Sequence, residues 1–401
     1  MNVLFLTIGY PEGNETNLYT DLIQEFEARG DNVYVVCPRE RRVGKQTELQ
    51  EKGRSRILRV KTYNLTKTNV IEKTVAMLML ESQFVKAIKK YFSDITFDLV
   101  IYSTPPITFA KVVQYVKTRD GSKSYLLLKD IFPQNAVDMG MFKKNGLVWR
   151  YFRKKEERLY AVSDHIGCMS KGNVEYLLRH NPEIDRSKVE ECPNSIKVRY
   201  FSETRLTHKQ TVRAQLQIPE DAVVFVYGGN LGRPQGLDFF LDVLDELRDR
   251  QDLFFLISGS GTEYEKIRKR IDEAAFTNVK LFKAFPKEQY NQILECCDVG
   301  LIFLDARFTI PNIPSRLNSY LEYGVPIAAA TDDCTDLMTI LEEADCGVWA
   351  KSGDKRQFIK QLEVLARDEN LRKRLGRNGR IYLERNYTVA RSYEIIKAHT
   401  V

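Results

Sequence analysis

The chain repeats one construction along most of its length: a short apolar run, a turn rich in glycine or proline, then an amphipathic stretch of helical period. "NVLFLTI" (2–8) leads into "NLYTDLIQEFEARG" (17–30), where Leu18, Leu22 and Phe26 share one helical face and Gly30 stops the run. "NVYVVCP", "RILRVKTY", "FDLVIYSTPP", "SYLLLKDIFPQ", "HIGCMS" and "KVEECPNSI" continue the strands, with a helix expected from about Val70 to Tyr91. Strands that are apolar throughout, rather than alternating, belong to sheets buried on both faces. With helices between them, they predict parallel sheets of the doubly wound α/β class.

The pattern lapses at "RYFSETRLTHKQTVRAQLQIP" (199–219), then restarts with "AVVFVYGGN", "GLDFFLDVLDELRDR", "LFFLISGSG", "VKLFKAF", "DVGLIFL" and "VPIAAAT". A chain of 401 residues exceeds one ordinary core. The reading is therefore two αβα domains, 1–200 and 201–385, with a helical segment at 386–401 after a break near Asn386–Tyr387. At 43% hydrophobic and 29% charged residues the composition is that of a globular protein. No apolar run is long enough to span a bilayer. The opening residues read as a strand rather than a signal peptide. Seven scattered cysteines without a CxxC pair predict reduced thiols and a cytoplasmic protein. Four histidines without ligand spacing predict no metal site.

Charge is uneven. Residues 1–200 carry 33 Lys and Arg against 24 Asp and Glu, whereas 201–401 carry 28 against 30. A basic first domain fits an anionic partner as well as a merely solvated surface. "MFKKNGLVWRYFRKKEERLY" (141–160) interleaves that charge with aromatics, a pattern suited to anionic membrane headgroups or to a helix with its aromatics packed inward. No nucleic-acid signature accompanies it.

Ligands of doubly wound sheets bind beyond the carboxyl ends of the strands, so the polar residues there are the candidates. "VYGGNLGRPQG" (226–236) ends a strand in a glycine turn, with Gly229, Asn230 and Arg233 as candidate phosphate contacts. It lacks the spacing of a dinucleotide fingerprint. "ISGSGTEYEKI" (257–267) repeats the design with Gly259, Ser260 and Gly261. In "LLLKDIFPQ" (126–134), Lys129 and Asp130 close an apolar strand; Asp130 either faces a ligand, caps the next helix or pairs with Lys129. Gly13 and Asn14 sit in the polar turn "GYPEGNETN" after the first strand. "TIPNIPSRLNSYLEYGVPIAAAT" (309–331) brings Ser315, Arg316, Asn318, Ser319 and Glu322 just before a buried strand.

The order and spacing of "CPNSI", "VYGGNLGRPQGLDFFLDVL", "FFLISGSGTEYEKI", "ECCDVGLIFL" and "IPSRLNSYLEYGVPIAAATDDCTDLMTILEEADCGVW" resemble the GT-B glycosyltransferases of family 4. Within that family they are most similar to bacterial capsule and O-antigen transferases of the N-acetylfucosamine-transferase type. The resemblance implies two Rossmann-like domains facing a cleft, the acceptor on the first, the nucleotide-sugar donor on the second, and a last helix crossing back to the first. It implies a retaining transferase moving an N-acetylated deoxyhexose such as L-FucNAc from a UDP-sugar to a polyprenyl-diphosphate-linked saccharide. Such an enzyme would need no metal or other cofactor and would sit peripherally on the inner face of the plasma membrane.

The chain departs from the family pattern at several positions. Asn230 and Gln235 stand where the family often has Arg and Lys against the donor diphosphate, Pro311 and Ser319 replace the usual glutamate pair, and Asp130 replaces a common histidine. Arg316 is the nearest cation left, because a guanidinium fork suits phosphate oxygens. The resemblance thus implies Arg316, Asp130 and Glu322 as catalytic residues. It implies Gly229, Asn230, Arg233, Gly259, Ser260, Gly261, Ser315, Asn318 and Ser319 around the donor, with amides of a helix start at 315–317 adding to the site. Gly13, Asn14, Lys129 and Asp130 would face the acceptor. Two other functions remain open: a sugar-nucleotide epimerase on the same fold, and a non-catalytic nucleotide-sugar-binding subunit of an envelope-assembly complex.

Overall fold

Apolar runs such as VLFL, LVIY and YLLL are buried along their whole length, and they form the centre of an eight-stranded sheet. The computed structural model describes residues 1–13, 15–65, 68, 70–200 and 205–400, which fall into two compact units. The first comprises Met1–Lys197 and Thr388–Val401, the second Val198–Tyr387.

The strands of the first unit are β1 (Asn2–Leu6), β2 (Asn32–Glu40), β3 (Glu48–Lys52), β4 (Ser55–Thr62), β5 (Leu99–Ser103), β6 (Lys123–Leu128), β7 (His165–Cys168) and β8 (Val189–Glu191). Their spatial order is β3-β4-β2-β1-β5-β6-β7-β8. All pairs are parallel except β3 with β4. The helix Val389–Lys397 packs on the helix Leu18–Ala28: the Tyr393 ring meets Phe26 edge-on at 4.7 Å, and its hydroxyl donates to Asp31 at 3.1 Å.

The second unit has β9 (Val223–Asn230), β10 (Leu253–Ser260), β11 (Val279–Lys283), β12 (Val299–Phe303), β13 (Ile327–Thr331) and β14 (Gly347–Lys351), all parallel, in the order β11-β10-β9-β12-β13-β14. Strand order reverses between β9 and β12, so the crevice beyond their carboxyl ends is where this topology receives a ligand. Phe225, Phe240, Phe255 and Phe303 stack between the sheet and the helix Leu237–Glu246, anchoring the strand ends that carry that crevice. Within the polar stretch where the strand pattern lapses, residues Arg205–Gln215 form a helix.

Candidate active site

Strand β9 ends in a glycine pair at the strand-order reversal. Gly229 has φ +118°, a conformation open to glycine and strained for other residues. Gly228 is required for space: a Cβ there would lie 1.8 Å from the Tyr290 hydroxyl oxygen. Beneath this turn lies Arg316, the first residue of the helix Arg316–Glu322. Its Cζ stands 4.2 Å from the centre of the Tyr227 ring, a cation–π contact. Its Nη2 donates to Gln235 Oε1 at 2.6 Å, while its Nη1 is buried with no hydrogen-bond partner. The Tyr227 hydroxyl donates to Asn230 O at 2.8 Å and also reaches Gln235 Oε1 at 3.3 Å. Tyr320 closes the floor, its hydroxyl donating to the carbonyls of Val226 and Leu301, and burial pushes its phenol up to about 12.

The other donor-side candidates distribute around this centre. Gly229 and Asn230 are exposed at the strand end, and Ser260 is exposed at the end of β10 beside the exposed Gly261. The Ser260 carbonyl accepts from the Leu231 amide, and Gly259 and Gly261 let the two turns touch backbone to backbone. Arg233 lies at the rim, 73% exposed, with its Nε 3.6 Å from Glu263. Ser315 is exposed, Ser319 half-buried and Asn318 buried. The expected amide cradle at 315–317 is corrected in part: the Leu317 amide is taken by the Pro314 carbonyl at 3.0 Å, a tight first turn that spends it internally. Glu322 is also corrected. Both of its carboxylate oxygens accept from Arg199, at 3.2 Å from Nε and 2.8 Å from Nη2, and the Arg199 amide adds a third bond at 3.0 Å. Buried and held in this way, Glu322 braces the segment 199–200 instead of serving chemistry.

In the first unit, the carboxyl ends of β5 and β6 gather polar groups. Thr104 Oγ1 accepts from the amides of both Lys129 and Asp130 at 3.0 Å. Asp130 accepts from the Asn135 carboxamide at 2.7 Å. Burial pushes its carboxyl up to about 6, against the pull of the Asn135 and Ile131 hydrogen bonds. It neither caps the next helix, whose N-cap is Pro133, nor pairs with Lys129. Lys129 turns the other way, its Nζ donating to Cys192 O at 3.3 Å among Cys168 and Cys192, with burial lowering its ammonium pKa. That placement removes Lys129 from the expected acceptor contacts. Gly13 is exposed in a turn tied down by Arg59, which donates to Pro11 O at 2.6 Å; Asn14 lies outside the described residues.

Residues 208–382 match the family Glycosyl transferases group 1. The two parallel-sheet units of the chain have the GT-B fold of glycosyltransferases. It is 24% identical over 293 residues to WbjE of Pseudomonas aeruginosa, a probable glycosyltransferase, covering 73% of this chain and 71% of that one. It is 22% identical over 251 residues to the glycosyl transferase WcaI of Escherichia coli (strain K12), named for colanic acid biosynthesis, covering 61% of this chain and 60% of that one. Anabaena HepE, solved in complex with UDP, superposes with a TM-score of 0.71 at 13% identity and covers 99% of both chains.

The candidate site includes residues that pattern reading passed over. Tyr227, Tyr290 and Tyr320 read as core aromatics within a strand and helices, yet the Tyr227 ring covers the Arg316 guanidinium and the other two phenols lie close enough to feel its charge. Gln235 read only as the absence of a lysine, whereas its carboxamide is the one group that hydrogen-bonds Arg316 Nη2 among the bonds described.

Proposed function

We propose that this glycosyltransferase retains anomeric configuration and transfers an N-acetylated deoxyhexose, such as L-FucNAc, from a UDP-sugar to a polyprenyl-diphosphate-linked saccharide in capsule or O-antigen assembly. The observation that carries the donor assignment is Arg316, whose Nη2 lies by the Gly229 turn and whose Nη1 is buried with no partner. A buried guanidinium N–H without an acceptor costs roughly 1–3 kcal/mol, which a phosphate oxygen would recover. HepE supports a uridine nucleotide as the donor's carrier, and the name of WcaI supports an envelope polysaccharide as the product.

In this reading the bond between the sugar anomeric carbon and the diphosphate oxygen breaks while the acceptor hydroxyl bonds to the same face. The acceptor proton passes to the departing phosphate, and Arg316, with Arg233 at the rim, offsets the charge that develops there. Asp130 orients the sugar or acceptor hydroxyls rather than forming a covalent bond.

The acceptor's lipid carrier calls for a membrane surface, and the first unit supplies a basic one. No helix of the described residues is long and apolar enough to cross a membrane. Met141 (74% exposed) and Leu147 (86%), with Val148 and Tyr151, stand among Lys143, Lys144, Arg150 and Lys154 at the start of the helix Leu147–Val162. Phe152 instead packs on Phe132 and Phe142. Exposed apolar groups ringed by cations suit the headgroup region of an anionic leaflet, and we place the enzyme peripherally on the cytoplasmic face.

The test is transfer itself: purified chain, a panel of UDP-linked N-acetyl deoxyhexoses, and a polyprenyl-diphosphate saccharide, with mass spectrometry of the lipid and NMR of the new linkage. One added sugar with the donor's anomeric configuration is expected. Interconversion of the free sugar nucleotide without transfer would instead establish the epimerase.

A further inference from the structure

Gln235 raises a question that the donor site alone does not answer. It ends a single turn (Arg233–Gln235) between β9 and the helix Leu237–Glu246, and its side chain is almost wholly buried. Its Oε1 accepts from Arg316 Nη2 at 2.6 Å and from the Tyr227 hydroxyl at 3.3 Å. Tyr227 covers one face of the guanidinium at 4.2 Å. Of the two terminal nitrogens, Nη2 is therefore engaged and Nη1 is left without a partner.

Elementary electrostatics makes the choice of partner informative. A buried arginine is most cheaply satisfied by a carboxylate, and Asp298 shows the chain using that solution for Arg213. At Arg316 the partner is a neutral amide, which accepts one hydrogen bond and fixes the plane of the fork but leaves its positive charge whole. A carboxylate in the same place would make the same two hydrogen bonds and would cancel the charge before an anionic ligand arrived. We infer that Gln235 is a positioning residue: it orients Arg316 toward the donor diphosphate while preserving the charge that binds it. The inference rests on the donor reading given above and adds that the neutrality of position 235 is a requirement of the reaction.

Three side chains at 235 separate this from a structural role. Gln235→Glu keeps size and both acceptor interactions but adds a negative charge. Gln235→Leu removes the acceptor without adding charge. Each protein is titrated calorimetrically with UDP and with uridine, alongside GDP and guanosine, so that the ratio of the two affinities reports the diphosphate alone; thermal unfolding is recorded in parallel. If Gln235 positions an intact charge, the diphosphate advantage falls in the order Gln, Leu, Glu, by about tenfold or more for Glu, with nucleoside affinity unchanged and the Glu variant no less heat-stable than wild type. If Gln235 merely packs the turn, Glu should match Gln and Leu should be the damaged variant, and the inference is overturned. A wild-type chain that binds neither diphosphate better than its nucleoside overturns the donor reading itself, and the inference with it; a wild-type advantage that survives in Gln235→Glu overturns the inference alone.

Discussion

Replacing Asp130 with asparagine separates what this carboxylate does in the reaction from what its burial costs the fold. The group's pKa rises from 3.8 in its ordinary state to about 6 in the folded chain, with desolvation as the largest cause. A carboxyl raised in this way favours the folded state only while it is protonated. Its penalty is absent below the unfolded value, grows between 3.8 and about 6, and is complete above that. The full displacement corresponds to about 3 kcal/mol at pH 7.5, of which only about 1 kcal/mol has developed at pH 4.5. Asparagine keeps an oxygen for the Asn135 carboxamide, which now donates at 2.7 Å, and carries no charge to desolvate. Urea unfolding of wild type and Asp130→Asn at the two pH values should therefore show the variant more stable by about 3 kcal/mol at pH 7.5 and by about 1 kcal/mol at pH 4.5, with the same denaturant slope. Sugar transfer should fall sharply in the same variant. An equal gain at both pH values, or none at pH 7.5, would refute the reasoning, because a charge that costs the fold nothing is not a desolvated one.

The wild-type rate of transfer should rise with pH through about 6 and then level, as Asp130 takes its ionised form; a flat profile from pH 5 to 8 would count against its role. Glu322→Gln should cost about 2 kcal/mol in unfolding experiments by weakening the bonds from Arg199, and should leave turnover within about twofold; lost turnover in an equally stable protein would restore a catalytic role. Gly228→Ala should destabilise the second unit by about 1–3 kcal/mol, because its Cβ meets the Tyr290 phenol, and an unchanged unfolding midpoint would show that contact to be soft. Leu147→Asp with Val148→Asp should abolish cosedimentation with phosphatidylglycerol vesicles without altering UDP affinity; undiminished sedimentation would place the membrane contact elsewhere.

The parallel sheets were legible because their strands are apolar on both faces and separated by helical periods, a pattern that few other architectures generate. Two elements escaped that reading for opposite physical reasons. Strand β3, "ELQEK", is an antiparallel edge with little buried surface, so it has no apolar signature. The helix Arg205–Gln215 has too few apolar residues to show a stripe. At the site, Arg316 was readable as a cation in a proline-bracketed loop before a strand. Its neutral partner was not, since Gln235 lies 81 residues earlier and only the fold brings the two together. The same distance effect explains Glu322, whose partner Arg199 is 123 residues away. A carboxylate next to a site reads as catalytic until the arginine that occupies it comes into view.

Calorimetric titration of wild type and Arg316→Ala with UDP, against GDP, ADP and NAD, tests the central claim most directly. The donor assignment predicts micromolar UDP binding that exceeds the other nucleotides and is largely lost, together with ~10²-fold or more of transfer rate, in Arg316→Ala. UDP binding that Arg316→Ala leaves intact, or a clear preference for another nucleotide, would contradict it.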